Sequence, residues 1–184
     1  MKKNPSLIGL LATIAIIAAA YFTYKLFLEK KDSYLIANPT EESLKLKIDN
    51  QDYSIAPNQT TEIKLTPGKH KINFDYQGKT IDTVFEVKYY NGVINPTGAD
   101  YYIFTRPYGP ARNKDSLFTT QTTTIDEKIF YGNIKHSNEL YIQGFYYNLN
   151  HDYPKFFYNK GLKTDISKIF SKDDFKQFYF ENYE

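Results

Sequence analysis

Both arginines of the 184-residue chain, Arg106 and Arg112, fall in one short stretch, 100–112, although the chain otherwise draws its positive charge from lysine. Tyr101, Tyr102 and Tyr108 are interleaved with them, and Pro107 and Pro110 stiffen the backbone. Arginine presents a planar fork of donors that matches carboxylate or phosphate and stacks on aromatic rings. Tyr101, Tyr102, Arg106, Tyr108 and Arg112 are therefore the candidate binding residues, for an anionic group or a partner protein. The plainer reading of the same residues is an ordered loop held by Arg–Tyr stacking and a local ion pair.

Little else in the chain has a spacing that chemistry requires. His70, His136 and His151 are dispersed and lack metal-ligand spacing. The carboxylate pair Asp126-Glu127 would point to opposite faces of a strand, and Asp173-Asp174 suits a helix start, where the dipole favours negative charge. No metalloprotease, phosphate-loop, nucleophile-elbow or dinucleotide fingerprint is present. Cysteine is absent, which removes disulfides, thiolate metal sites, thiol nucleophiles and a lipid-modified cysteine. No catalytic residue, metal site or cofactor is expected. The enzyme alternative is an exported hydrolase of cell-wall polymer using dispersed carboxylates such as Asp100, Asp126 or Glu139. A third option is a peptide or glycan binder with Tyr101, Tyr102, Tyr146 and Tyr147 exposed on one face. A net charge of +2 is too balanced for a nucleic-acid footprint. The bias toward Lys, Tyr, Phe, Asn and Ile fits A/T-rich codons, so 18 tyrosines do not by themselves mark a binding surface.

The elements that must position these residues begin with an address. Leu7 to Tyr24 holds 18 residues without a charge; as a helix it reaches about 27 Å, close to the roughly 30 Å hydrocarbon core of a bilayer. Tyr21, Phe22 and Tyr24 stand where an interfacial aromatic belt would be. The expected organisation is a cytoplasmic tail and transmembrane anchor over 1–28, a charged joint over 29–33, and a water-exposed remainder in two parts, 34–94 and 95–184, packed as one unit. Lys2 and Lys3 on one side are nearly balanced by Lys25, Lys30 and Lys31 on the other. The short basic tail ahead of a single apolar run and one large domain nevertheless has the form of a signal anchor. It places the protein in the cytoplasmic (inner) membrane as a single-pass protein with its domain on the extracytoplasmic side. A cleaved signal peptide, ending at Ala18-Ala19-Ala20, and a secreted binding protein are the competing reading.

Beyond the joint the period becomes two. Leu44, Leu46 and Ile48 alternate with lysines; Tyr53 and Ile55 follow. Ile63 and Leu65 lead to a Thr66-Pro67-Gly68 turn. His70, Ile72 and Phe74 alternate up to a turn at Tyr76–Lys79, and Ile81, Thr83, Phe85 and Val87 form the next strand face. Asn91-Gly92 is a hairpin signal. The run Leu44–Asn50, followed by Ile63–Phe74 with its Leu65-Thr-Pro-Gly-Lys-His70 turn, resembles PEGA-like β domains over about 44–87, with Asn50 where that pattern has glycine. The resemblance implies a small β domain of the kind found in envelope or surface proteins, and no activity. Asn38-Pro39-Thr40 and Asn95-Pro96-Thr97 read as similar strand-exit turns. Tyr101–Arg106 is an aromatic strand, Pro107–Pro110 a rigid loop, and 111–124 a polar loop or solvated edge strand. Ile125–Ile134 and Glu139–Tyr147 are expected strands, and Pro154–Gly161 a turn-bounded aromatic stretch. Ser171 and Asp174 approximate a capping box, ahead of Phe175, Phe178 and Tyr179 on one helical face. The expected fold class is mainly β: an N-terminal transmembrane helix followed by an antiparallel β-sandwich-like domain with a short C-terminal helix. The expected partners are the lipid bilayer, through residues 7–24, and an envelope protein. The expected role is interaction or structure.

Overall fold

The computed structural model describes residues 5–23, 33–108, 121–153 and 164–183. The chain divides into two compact units, Met1–Lys31 and Asp32–Glu184.

In the first unit, helix α1 (Pro5–Thr23) has 19 residues and no charge. Among the described residues no helix is long and apolar enough to cross a membrane. At 1.5 Å per residue α1 rises about 28 Å, just under the roughly 30 Å hydrocarbon core, and Tyr24 and the following joint lie outside the described residues. Its apolar side chains, Leu10, Leu11, Ile14, Ile16, Ile17 and Phe22, are exposed.

The second unit is mainly β. In chain order its strands are β1 (Ser33–Asn38), β2 (Leu44–Ile48), β3 (Gln51–Ile55), β4 (Gln59–Ile63), β5 (Gly68–Tyr76), β6 (Lys79–Val87) and β7 (Asn91–Ile94). They continue with β8 (Tyr101–Tyr108), β9 (Thr122–Ile125), β10 (Lys128–Tyr131), β11 (Asn133–Ser137), β12 (Tyr141–Gln143) and β13 (Thr164–Ser171), and helix α2 (Lys172–Tyr183) ends the chain. Three sheets have the orders β12-β7-β1-β4, β3-β2-β5-β6 and β11-β8-β13, and β9–β10 is a separate hairpin.

The sheet containing β1 lies between the other two. Every residue of β1 is buried: Tyr34 and Ile36 pack with Leu44, Leu46, Ile72 and Phe85 of the second sheet, while Ala37, with Val93 and Ile142, packs on Tyr101, Ile103 and Ile169 of the third. Strands covered on both faces read as continuous apolar runs without alternation, which is why the period-two signal begins at Leu44 and passes over β1. The pairing of β1 with β7 is parallel, so the sandwich is not wholly antiparallel. The outer face of the third sheet is covered by α2 and the β9–β10 hairpin, through Tyr102, Phe104, Phe130, Phe170, Phe175 and Tyr179.

Turn chemistry explains most junctions. Gln77 and Gly78 both have positive φ (50° and 74°) between β5 and β6, the geometry of a two-residue hairpin that follows strand twist. Asp126 and Glu127 do the same between β9 and β10 (46° and 66°), so Ile125–Ile134 is a hairpin and the start of β11 rather than one strand. Asn91-Gly92 does not turn: both residues lie in β7 and pair with Ser33 and Tyr34 of β1. Glycine is required there because a Cβ on Gly92 would stand 2.6 Å from ring carbons of Tyr141.

Asn38 and Asn95 end their strands in similar ways. The Asn38 amide donates to the carbonyls of Glu42, Ile55 and Ala56, while its oxygen accepts from Thr40. The Asn95 amide donates to the Ala99 carbonyl and its oxygen accepts from the Ala99 N–H and the Thr97 hydroxyl. At the start of α2, Ser171 Oγ accepts from the Asp174 N–H at 3.3 Å and donates to Asp174 Oδ2 at 2.6 Å, a short-armed capping box.

Candidate functional site

Adjacent residues of a strand face opposite sides of a sheet, and this separates the first two candidate binding residues. Tyr101 points into the core between the first and third sheets; burial pushes its phenol up to about 12. Tyr102 points the other way, buried against Phe175 at 5.6 Å and His136 at 5.2 Å between ring centroids. Arg106 is half-buried, and its guanidinium lies 5.6 Å from the ring centroid of Tyr183 in α2. The Arg106 guanidinium thus joins β8 to a tyrosine of α2, outside the 100–112 stretch. Pro107 and Tyr108 continue β8 in register with Asp165 and Thr164 of β13, so the rigid loop does not begin before residue 109. The Tyr108 side chain, Arg112 and residues 109–120 lie outside the described residues. With Tyr101 and Tyr102 buried, four tyrosines do not share one exposed face.

The histidines and carboxylates form pairs with structural partners. His70 is buried at the start of β5. Its Nδ1 is 2.8 Å from Asp49 Oδ2 and its Nε2 donates to the Thr66 carbonyl at 2.8 Å. Asp49, at the β2–β3 turn with φ 52°, also accepts from the Lys71 N–H at 3.0 Å. This clamp ties two turns together. Burial pulls the His70 pKa down, but the bonds to Asp49 and Thr66 and the Asp49 charge outweigh it, and the net shift is upward. The bond from His70, followed by that from Lys71, lowers Asp49. The histidine contribution is complete below its unfolded value near 6.5 and is lost as pH rises through the raised folded value. The aspartate contribution is present above about 3.8 and is lost as pH falls through the lowered folded value. Asp49→Asn is expected to cost about 1 kcal/mol near pH 6, discounted because Asp49 is half-exposed, and less near pH 8.5. Urea midpoints of both proteins at the two pH values check this; a pH-independent difference would exclude the ionic pairing.

Asp100 meets His136 at 2.7 Å, with both side chains about half-exposed. Asp126, in its hairpin turn, pairs with Lys172 at 3.3 Å and with Lys176, both on α2. Among the described residues no group of three or more His, Asp or Glu side chains could hold a metal ion.

The most unusual ionisable group, Lys168, carried no signal in the sequence. It lies in β13 at 7% exposure, in register between Ile166 and Phe170. Its Nζ donates to the carbonyls of Asn148 at 2.9 Å and Leu149 at 3.3 Å and stands 4.7 Å from the Phe170 ring centroid. Burial pushes its pKa down to about 8, against the opposing charges of Asp174 and Asp152. It borders a cleft of about 260 Å³ with His151, Asp152, Asp174, Gln177 and Glu181, below the roughly 300 Å³ at which small-molecule pockets begin. Two of its neighbours are committed to structure: His151 Nδ1 accepts from the Asn148 N–H, and Asp174 belongs to the α2 cap. The ammonium acts as a tie between β13 and the 148–149 loop.

A surface suited to binding lies instead at a sheet edge. β6 is a nine-residue strand at the end of its sheet, paired with β5 along its whole length. Among the described residues no strand pairs with its other side. Val84 is exposed at its centre, no proline interrupts it, and its far end is pinned by the Gln143 amide donating to the Glu86 carbonyl at 3.1 Å. Long open edges are normally blunted because they template strand addition. No family model, no curated protein and no solved structure matches the chain.

Proposed function

We propose that the chain is a single-pass membrane-held protein of a bacterial envelope whose extracytoplasmic β domain is an interaction and structural module, taking a partner strand along the edge of β6. The observation that carries this reading is the outer edge of β6, with which no strand pairs among the described residues: an added strand gains main-chain hydrogen bonds, and alternate side-chain contacts supply specificity. The membrane part is supported by α1, whose uncharged, exposed leucines, isoleucines and phenylalanine have no favourable place in water. The PEGA-like turns fit the same setting. The exported-enzyme alternative draws less support, because in the cleft that gathers His151 with carboxylates His151 is bonded to the Asn148 N–H and Asp174 caps α2.

The test is fractionation combined with site-specific photocrosslinking in cells. The full chain is expected in the membrane fraction, and deletion of residues 1–31 is expected to release it. A photoreactive residue replacing Thr83 is expected to capture one envelope protein, whereas the same group replacing Lys47, on the solvent face of the sheet, is not. An unprocessed full-length chain free in the cytosol, or capture of only lipid and self at position 83, would falsify the reading.

A further inference from the structure

The outer edge of β6 has a fixed end. Gln77 and Gly78 close the β5–β6 hairpin with two residues, and Tyr76 pairs with Lys79 beside them. Hydrogen-bonding direction alternates along an antiparallel strand. Lys79, Ile81, Thr83, Phe85 and Val87 therefore bond to β5, while Thr80, Asp82, Val84 and Glu86 turn their N–H and C=O groups to the outer side. Bonds at the end of the strand have the same phase: the Glu86 carbonyl accepts from the Gln143 amide at 3.1 Å, and the Lys88 N–H donates to Gln143 Oε1 at 3.0 Å. One side chain of β12 does there what the backbone of an added strand would do. Among the described residues the main-chain groups of Thr80, Asp82 and Val84 have no partner on that side. The stretch left to an added strand is Thr80–Val84.

The edge also has a charge. The solvent face of β6 carries Thr80, Asp82, Val84 and Glu86, all exposed, with two carboxylates and no cation. Asp82 is about half-exposed, and its Oδ2 meets Lys71 of β5 at 3.0 Å, on the flank away from the edge. In an antiparallel pair, opposite charges on directly opposed residues stabilise and like charges destabilise. The position opposite Asp82 therefore favours lysine or arginine, and the position opposite Val84 an apolar side chain. On the other face Ile81 is half-buried against the core of the second sheet and Thr83 is exposed, so apolar residues opposite these two extend the covered surface. Self-addition fits poorly: centred on Asp82 it sets carboxylate against carboxylate, and registers shifted toward Val84 run into Gln143. Every pairing within this sheet is antiparallel. We infer that the strand accepted by β6 is an antiparallel, alternating segment of about five residues, with a basic residue opposite Asp82 and apolar residues opposite Ile81, Thr83 and Val84. The inference rests on the reading of β6 as a strand-accepting edge and names the chemistry of its partner.

Full-length, isotope-labelled protein in detergent micelles is titrated with two blocked peptides, Val-Ile-Lys-Ile-Thr and the same peptide with glutamate in place of lysine. Backbone amide resonances report the binding. The expected result is movement of the Thr80, Asp82 and Val84 amides, with the lysine peptide binding about fivefold more tightly than the glutamate peptide. Asp82→Lys is expected to reverse that preference and Asp82→Asn to abolish it. Equal binding of the two peptides to the wild-type chain, tighter binding of the glutamate peptide, or a lysine preference that survives in Asp82→Lys overturns the inference and leaves the edge reading standing. No movement of these three amides with either peptide, or movement confined to other strands, overturns both. Asp82→Asn, which keeps the shape of the side chain, carries the same test should Asp82→Lys fold poorly.

Discussion

Phe175→Ala is expected to lower the stability of the β domain by about 3–5 kcal/mol, the range for truncating a fully enclosed aromatic. The Phe175 ring is 0% exposed. Its centroid lies 5.6 Å from Tyr102, 5.5 Å from Phe130, 5.9 Å from Tyr179 and 6.0 Å from both Phe104 and Phe170. These rings come from β8, β10, β13 and α2, so one side chain joins α2 and the hairpin strand β10 to the paired strands β8 and β13. Neither α2 nor the β9–β10 hairpin belongs to a larger sheet; each is held on the third sheet through this cluster. Removing the ring leaves a void that rigid neighbours fill poorly. The loss should be uneven: amides of β9, β10 and α2 become open to hydrogen exchange, while those of β1 and β7, two layers away, keep their protection. Urea unfolding and exchange on the full chain in detergent micelles measure both. A uniform loss of protection would show that the layers unfold as one unit and that Phe175 is not a local keystone.

The α2 cluster was legible in the sequence because its signals are local. Ser171 and Asp174 fix a helix start within four residues, and Phe175, Phe178 and Tyr179 share a face at helical spacing. The strands β2, β3, β5 and β6 were legible for the same reason, since their outer face is open and their turns carry proline, glycine and αL-tolerant residues, but the expected meander was not formed: β4 leaves to pair with β1 and β2 pairs with β5. The central sheet was not legible. β1 and β7 are buried on both sides and pair in parallel across 58 positions, and nothing local encodes that pairing. Gly92 shows how a local rule misleads: Asn-Gly is the strongest short hairpin signal, but here the glycine makes room for a ring from β12. β13 was missed because Lys168 interrupts an otherwise apolar face. Only the fold reveals that carbonyls from the 148–149 loop meet its ammonium there. Alternation along β8 sends two of the candidate binding residues, Tyr101 and Tyr102, into two different cores, and Arg106 meets a tyrosine of α2. The open edge of β6 depends on which strand does not follow it, so it could be read only once the sheet order was known.

Asn148→Ala is expected to cost about 3 kcal/mol, because it orphans buried carbonyls. Asn148 is 0% exposed. Its amide donates to the Ser33 carbonyl at 2.7 Å and the Gly92 carbonyl at 3.2 Å, with Ser33 Oγ at 3.3 Å, and its oxygen accepts from the Leu149 N–H at 2.8 Å. Its own carbonyl receives the Lys168 ammonium. One side chain thus closes the point at which the chain enters the domain, joining β1 and β7 to the 146–149 segment. The near-isosteric Asn148→Asp separates hydrogen bonding from packing. It keeps the shape, but an ionised carboxylate only accepts, so it would face two carbonyl oxygens with no proton between them. It should therefore destabilise at least as much as alanine at neutral pH. Burial and those carbonyls would raise its folded pKa above the unfolded value near 3.9. The folded state then binds more protons between the two values, so stability is recovered as pH falls through the raised value, where the carboxyl regains one donor. Urea midpoints for wild type, Asn148→Ala and Asn148→Asp at about pH 5 and pH 7 decide the matter. If the aspartate variant matches wild type at neutral pH, the amide donors do not hold this junction, and the alanine loss comes from the cavity alone.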